Sequence, residues 1–89
     1  MARLTLETAK GAAIVPSLPT AETLFELGLM YSAGRDCDPD MIKAHKWFNL
    51  AAQRGKAEAR TLRIELSKEM TRREISEAQR QAREWLRKH

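Results

Sequence analysis

Hydrophobic residues recur at helical spacing in four segments of this chain, and polar turn residues separate the segments. In the first segment Leu24, Leu27 and Tyr31 follow one another at intervals of three and four residues, which places their side chains on one face of an α-helix. Valine and isoleucine, which favour strands, are scarce. The pattern predicts an all-α protein with helices at about 21–33, 39–54, 57–69 and 72–87.

Capping residues indicate where these helices begin and end. An aspartate followed by proline, as at Asp38-Pro39, predicts a helix start, because proline lacks the N–H group that the first helical position leaves unpaired. The spacing T-x-x-E is a capping box and predicts the start of the fourth helix. The predicted capping residues of the chain are Thr20, Gly34, Asp38, Gly55, Thr71 and Glu74.

Small residues on the first two helices predict that their backbones approach closely. A glycine inside a helix costs about 1 kcal/mol relative to alanine, so Gly28 is expected to face the second helix. The predicted buried face of the second helix consists of Ala44, Trp47, Phe48, Ala51 and Ala52. The inner stripes predicted for the last two helices are Ala59, Leu62, Leu66 and Met70, then Ile75, Ala78, Ala82, Trp85 and Leu86.

The first 19 residues are predicted to form a flexible N-terminal arm, because Gly11, Pro16 and Pro19 interrupt any helical period. Residues 20–89 are predicted to form a single helical-repeat domain. Two outcomes are left open for the apolar residues of the arm, docking on the helical body or remaining at a free terminus: Ile14, Val15 and Leu18.

A repeat signature fills most of the stretch from Ala21 to Gly55. It consists of Leu27, Gly28, Tyr31, Gly34, Ala44, Trp47, Phe48, Ala51, Ala52 and Gly55. This run resembles the Sel-one-like repeat, a relative of the tetratricopeptide helix pair. The interval from Ala21 to Ala57 is close to the tetratricopeptide period of about 34 residues. The second unit departs from the signature, with Ile64 where the first has Gly28, and is expected to cap the stack.

The resemblance implies a fold and a class of function. The fold would be a short α-solenoid of two helix-turn-helix units in an antiparallel, right-handed stack. The function would be a non-catalytic adaptor or scaffold without a cofactor, of the kind used in bacterial signalling assemblies. Phe25 and Leu29 are expected to anchor a partner peptide or helix on the concave face. By the same resemblance, that face would be lined by Glu22, Phe25, Leu29, Ser32, Thr61, Glu65 and Lys68.

The charge distribution supports one alternative function. The formal net charge is +4 and the isoelectric point is about 9.6, and the whole positive excess lies in residues 56–89. The basic residues of the fourth helix are Arg72, Arg73, Arg80, Arg83, Arg87 and Lys88. They suit nucleic acid or an acidic partner. Against this, Glu84 is expected to pair with its basic neighbours at helical spacing, and Trp85 is expected on the apolar face, away from the arginines.

Catalytic and metal chemistry find little support in the sequence. His45 has no partner at a catalytic spacing and is expected at the surface. Cys37 and His45 are too few for a zinc site, and Asp36, Asp38 and Asp40 lack the glycine and distal glutamate of a calcium loop. A single cysteine fits a reducing compartment, and the apolar runs are too short to span a membrane. The prediction is therefore a cytoplasmic, non-enzymatic protein that binds another protein, with self-association left open.

Overall fold

The computed structural model describes residues 19–89, which contain four α-helices and no strand. The helices are α1 (Ala21–Ala33), α2 (Met41–Gln53), α3 (Ala57–Ser67) and α4 (Arg72–Lys88). The all-α prediction is confirmed. The predicted docking of Ile14, Val15 and Leu18 lies outside the described residues.

Four of the predicted capping groups form as expected, one of them Gly55, which follows α2 with φ of 100°. The Thr20 side chain accepts a hydrogen bond from the Thr23 N–H, and Gly34 ends α1 in the left-handed conformation, with φ of 75°. At the start of α4, the Thr71 side chain accepts from the Glu74 N–H while the Glu74 carboxylate accepts from the Thr71 N–H. These short-range hydrogen bonds satisfy helix-end groups that would otherwise lack partners.

The predicted start of the second helix is wrong by two residues. Asp40 caps α2 in place of Asp38, and its Oδ1 accepts a hydrogen bond from the Lys43 N–H at 3.0 Å. The Asp40 N–H itself donates to the carbonyl of Tyr31 at 3.0 Å. Because Pro39 packs over Gly34 and this hydrogen bond ties the turn back to α1, the chain turns into the helix only after the proline.

The second helix is the centre of the fold, since α1, α3 and α4 each pack against α2 while α3 and α4 barely contact each other. The buried core draws residues from all four helices: Leu24, Phe25, Ala44, Phe48, Leu50, Ala51, Ala59 and Ala82. Leu50 was not among the predicted core residues, although only 1% of its surface is exposed.

Gly28 lies directly against a side chain of α2. A Cβ atom added there would lie 2.5 Å from Cε1 of Phe48, well inside van der Waals contact. The Phe48 ring is 2% exposed and tilts against the Phe25 ring, with the ring centroids 5.9 Å apart. Phe48 therefore occupies the space left by the missing side chain, while Trp47 is half-buried next to it.

The contact between α2 and α4 uses small residues flanked by tryptophans. Ala78 and Ala82 are buried, and the Trp85 ring meets the edge of Trp47 at a centroid distance of 5.8 Å. In α3, Ile64 stands where the first unit has Gly28, and 41% of its surface is exposed. An isoleucine leaves no space for an incoming ring, so α4 packs on α2 and diverges from α3.

Candidate functional site

A groove opens on the surface between α1, the start of α2 and α3. Its floor consists of Leu29, Phe48, Leu62 and Leu66, and its rim of Ser32, Met41, Glu65 and Glu69. The leucines of the floor are half-buried, whereas the rim residues are exposed. We call this feature the acid-rimmed groove, because the charged residues on its rim are both glutamates.

The helical period explains how this groove is assembled. Leu29 and Ser32 are one turn apart on α1, and Leu62 and Leu66 are one turn apart on α3, so each helix contributes one contiguous strip. The Phe48 ring, held at Gly28, closes the bottom between them. On the rim, the Glu65 carboxylate is largely exposed and forms a surface ion pair with Lys68 at 3.4 Å.

The groove brings together three of the seven residues expected to face a partner, namely Leu29, Ser32 and Glu65. Glu22 lies at the start of α1 and pairs with the Lys56 ammonium group at 2.8 Å. Thr61 is exposed but does not line the groove, and Lys68 touches it only through Glu65. Met41, Phe48, Leu62, Leu66 and Glu69 line the groove without having been expected there.

Phe25 is buried, so the expectation that it anchors a partner on the concave face is wrong. It is 5% exposed, its ring packs against Phe48, and the Lys56 ammonium group lies 4.8 Å from the ring centroid. The cause is its spacing from Gly28: three residues apart, the two share the face of α1 that α2 covers. Phe25 therefore stabilises the helix pair.

Leu27, a residue of the repeat signature, lies away from the contact between the first two helices. It is half-buried and lines a second groove to which α2 contributes no residue. The other residues of that groove are Thr23, Glu26, Met30, Arg35 and Asp36. The contact face of α1 is instead formed around Leu24, Phe25 and Gly28, which are buried.

Comparison with known families matches this architecture. A model of the Sel1 repeat matches residues 21–56 and 74–88, together more than half of the chain. The chain belongs to the Sel1 repeat family. The first match spans α1, α2 and the turn between them, which confirms the resemblance drawn from the sequence, and the second covers most of α4. No curated protein and no solved structure matches the chain.

Sel1 repeats are in general protein-interaction modules built as helical scaffolds. In this Sel1 protein the family matches omit residues 57–73, which contain α3 and the turn after it. That segment includes Ile64 and Ser67, which stand where the first unit has Gly28 and Tyr31 and so depart from its signature. This unmatched helix, α3, also contributes one side of the acid-rimmed groove.

His45 of this Sel1 protein is buried, which corrects the expectation of a surface histidine. It is 2% exposed, and its Nε2 lies 3.0 Å from Oγ of Ser67. The Ser67 hydroxyl donates to the carbonyl of Arg63, so Nε2 must carry the proton and donate to Ser67. Nδ1 is buried and has no hydrogen-bond partner among the described residues.

The electrostatics of this pair favour a neutral imidazole. Burial, and secondly the charge of Arg63, lower the pKa of His45 below its usual 6.5. Since the Ser67 hydroxyl donates its proton away from the imidazole, His45 is not placed to activate it as a nucleophile. The contact is a hydrogen bond that joins α2 to α3.

The charged face of α4 is partly neutralised within the helix. Arg80 pairs with Glu77 at 2.6 Å rather than with Glu84, whose carboxylate lies near Arg87 and Lys88 at 3.7 and 3.6 Å. Hydrogen bonds from Arg80, and secondly from Gln81, lower the pKa of the Glu77 carboxyl to about 2. The expected pair between Glu84 and Arg80 does not form because Glu77 already holds the guanidinium group with two hydrogen bonds.

Trp85 lies on the apolar face of α4, as expected, and packs against the core, but a cation that was not expected there, from the end of α2, also lies against its ring. The Arg54 guanidinium group is 5.4 Å from the Trp85 ring centroid, and the His89 ring stacks on the same indole at 4.5 Å. Lys46 and Lys88 share a shallow pocket with it. Packing of α4 on α2 creates this neighbourhood, because it brings the ends of the two helices together.

Two further observations on the described residues concern metal ions and membranes. Within residues 19–89, no cluster of three or more histidine, cysteine, aspartate or glutamate side chains is arranged to hold a metal ion. Among the helices described, none has both the length and the apolar character that a membrane span requires.

Proposed function

We propose that this chain is a non-catalytic adaptor and that the acid-rimmed groove is the surface on which it binds another protein. The proposal rests on one observation, the half-buried leucines at the floor of an open groove. Leu29, Leu62 and Leu66 pack on the core on one side and line the groove on the other. A partner that covers them would remove apolar surface from water, which contributes about 25 cal/mol per Å².

The shape and chemistry of the groove suit a helix or an extended peptide with an aliphatic anchor. The leucine floor would receive the anchor, and the exposed Ser32 and Glu65 would hydrogen-bond to polar groups at its edge. A cytoplasmic location belongs to the same proposal and is supported by Cys37 being the single cysteine of the sequence.

The test is a comparison of proteins captured by immobilised full-length chain and identified by quantitative mass spectrometry. The groove variant carries Ser32→Arg with Met41→Glu, which places charge across the opening of the groove. The control carries Thr61→Arg with Ile64→Glu, because these residues are equally exposed but do not line the groove. Thermal unfolding followed by circular dichroism verifies that both variants remain folded.

We expect the wild type and the control to capture the same partners and the groove variant to lose them. Partners retained by the folded groove variant would refute the assignment of the groove. A variant with Phe25→Ala and Leu29→Ala would be a poorer test of the groove than Ser32→Arg with Met41→Glu. Phe25 is buried, and removing such a ring costs about 3–5 kcal/mol of folding free energy.

A second candidate function uses the basic surface around Trp85. The indole lies among Arg54, Lys46 and Lys88, an arrangement that suits the phosphates and bases of a single-stranded nucleic acid or an acidic peptide. The discriminating measurement is a salt titration of binding to mixed DNA and RNA. Micromolar binding that weakens steeply with salt would favour this function, and no binding at low salt would remove it.

A further inference from the structure

We propose that the acid-rimmed groove of one copy receives the C-terminal end of α4 from a second copy, so that the chain associates with itself head to tail. The inference rests on the proposed function, since it names an occupant for the same groove. It is argued from two surfaces of this chain that match in charge, in spacing and in apolar content.

The first surface is the rim of the groove on the α3 side. Glu65 lies in the last turn of α3 and Glu69 in the turn that follows the helix, and both are exposed on the rim of the groove. In the described part of the chain, Lys68 is the cation within 4 Å of Glu65, and none lies within that distance of Glu69. Two carboxylates, one of them without an ion pair, thus flank a leucine-lined floor.

The second surface is the outer side of α4 near its C-terminus. Leu86 is 40% exposed and is one of three large hydrophobic residues at the surface of residues 19–89. Arg83 and Arg87, three residues before it and one after it, are exposed and stand one helical turn apart on the adjoining strip. No carboxylate of the described residues lies within 4 Å of Arg83, and Arg87 has only a weak, exposed pair with Glu84 at 3.7 Å.

The two surfaces are alike in composition and opposite in charge. On each, two charged residues four positions apart in the sequence stand beside an apolar feature, the leucine floor in one case and Leu86 in the other. Docking Leu86 on the floor would therefore place the two arginines along the two glutamates. Such complementarity selects the partner and its register as well as adding affinity.

The contact cannot form within one chain. Trp85, the residue before Leu86, is seated against Trp47 and Arg54 on the side of α2 that α4 covers. No residue of α4 lines the groove, and α4 barely contacts α3, which carries Glu65 of the acidic rim. The groove and the end of α4 are separate surfaces of one molecule, so their pairing generates an open chain of copies or a closed ring.

The experiment is sedimentation velocity on the full-length chain, from micromolar concentration to about 1 mM, the upper end of weak association. In this experiment the groove variant is a different one from that of the capture test and carries Glu65→Arg with Glu69→Arg. The helix variant carries Arg83→Glu with Arg87→Glu. The control is Arg72→Glu with Arg73→Glu, which changes the charge of the same helix by the same amount at its other end. Leu86→Ser tests the apolar contact at an exposed position where the fold is not at risk.

We expect the wild type and the control to self-associate, and the groove variant, the helix variant and Leu86→Ser each to weaken association by about tenfold or more. The decisive sample is the equimolar mixture of the groove and helix variants. One variant keeps an intact groove and the other an intact α4, so in the mixture the two should bind each other in equal amounts, although each alone associates at least tenfold more weakly than the wild type. A chain that carries all four reversals should associate again.

A wild type that stays monomeric throughout the concentration range would overturn the inference, and so would association that is unaffected by the groove variant or not recovered in the mixture. These failures differ from a failure of the proposed function. A monomeric wild type that still captures another protein through Ser32 and Met41 refutes self-docking and leaves the adaptor function standing.

Discussion

At the scale of single residues, Gly28 sets the distance between the first two helices. Its missing side chain admits the Phe48 ring, which in turn packs on Phe25 and forms the bottom of the acid-rimmed groove. A glycine that is unfavourable for an isolated helix is therefore favourable in the folded protein, because the contact that it permits lies in the core.

We predict that Gly28→Ala destabilises the protein by about 1–3 kcal/mol, the usual cost of overpacking a core. The added methyl group would lie 2.5 Å from Cε1 of a ring that is only 2% exposed, so the ring has little room to move. Urea unfolding followed by circular dichroism measures the effect, with the exposed Ser32→Ala on the same helix as control. If Gly28→Ala instead raised the free energy of unfolding by about 1 kcal/mol, as helix propensity alone would give, the contact between Gly28 and Phe48 would be loose.

His45 makes the stability of the protein sensitive to acid. Its pKa in the folded state is below 6.5, so below this pH the unfolded chain binds a proton that the folded protein resists. Stability is therefore complete above pH 6.5 and is lost as the pH falls through and below that value, at no more than about 1.4 kcal/mol per pH unit for one group. A proton on Nδ1 would be buried without an acceptor among the described residues.

We predict that His45→Gln reduces the loss of stability between pH 7 and pH 5. Glutamine keeps an N–H donor for Ser67 but does not titrate. The contribution of residue 45 to the pH dependence of the free energy of unfolding should therefore disappear, while the hydrogen bond to Ser67 persists. Urea unfolding at several pH values measures this, with the exposed His89→Gln as control. Parallel pH curves for wild type and His45→Gln would contradict the assignment.

At the scale of the helices, local capping and tertiary packing decide different things. Thr20 and the Thr71–Glu74 box begin their helices through hydrogen bonds between residues three positions apart. Such a short spacing is visible in the sequence. The start of α2 is different, because the hydrogen bond from Asp40 to Tyr31 crosses the turn and moves the helix start past Pro39.

The seating of α4 on α2 depends on small residues, and here we predict that Ala82→Leu costs about 1–3 kcal/mol. Ala82 is 1% exposed, and a larger side chain would push α4 away from α2 and separate Trp85 from Trp47. Tryptophan fluorescence and urea unfolding both report this change. Gln79→Leu, an exposed position on the same helix, should leave stability and the emission spectrum nearly unchanged; equal effects of the two substitutions would argue against the tight contact.

At the scale of the whole molecule, the core is continuous through α2. Residues from all four helices meet in one buried cluster, and Phe48 contributes both to that cluster and to the groove. Partner binding and folding stability are therefore linked at the floor of the groove, where a substitution changes both. Substitutions at rim residues such as Met41 and Glu65 should change binding with little effect on stability.

This continuity predicts a single cooperative unfolding transition. Circular dichroism reports all four helices, while tryptophan fluorescence reports the contact between Trp47 and Trp85 on α2 and α4. The two signals should change at the same urea concentration, and Phe48→Leu should move both midpoints together. A fluorescence transition that precedes the loss of helix would show instead that α4 detaches first and that the core is not one unit.

Much of the fold followed from the sequence, but less of the candidate site did. The helices, their main caps and the family signature depend on spacings of three and four residues, which the chain displays directly. Leu62 and Leu66 were assigned to the core alone, yet they also line the groove. Phe25 was expected to face a partner because a stripe of apolar residues does not reveal which part of it a neighbouring helix covers.

The sequence by itself determined that four amphipathic helices form, where most of them begin and end, and that Gly28 permits a close contact. Only the tertiary structure decided which aromatic ring fills that space, that His45 is buried against Ser67, and that Trp85 stands among cations. The physical reason is the range of the interactions. Capping and periodicity act within a turn or two of helix, whereas burial and the shape of a groove depend on how three helices pack around α2.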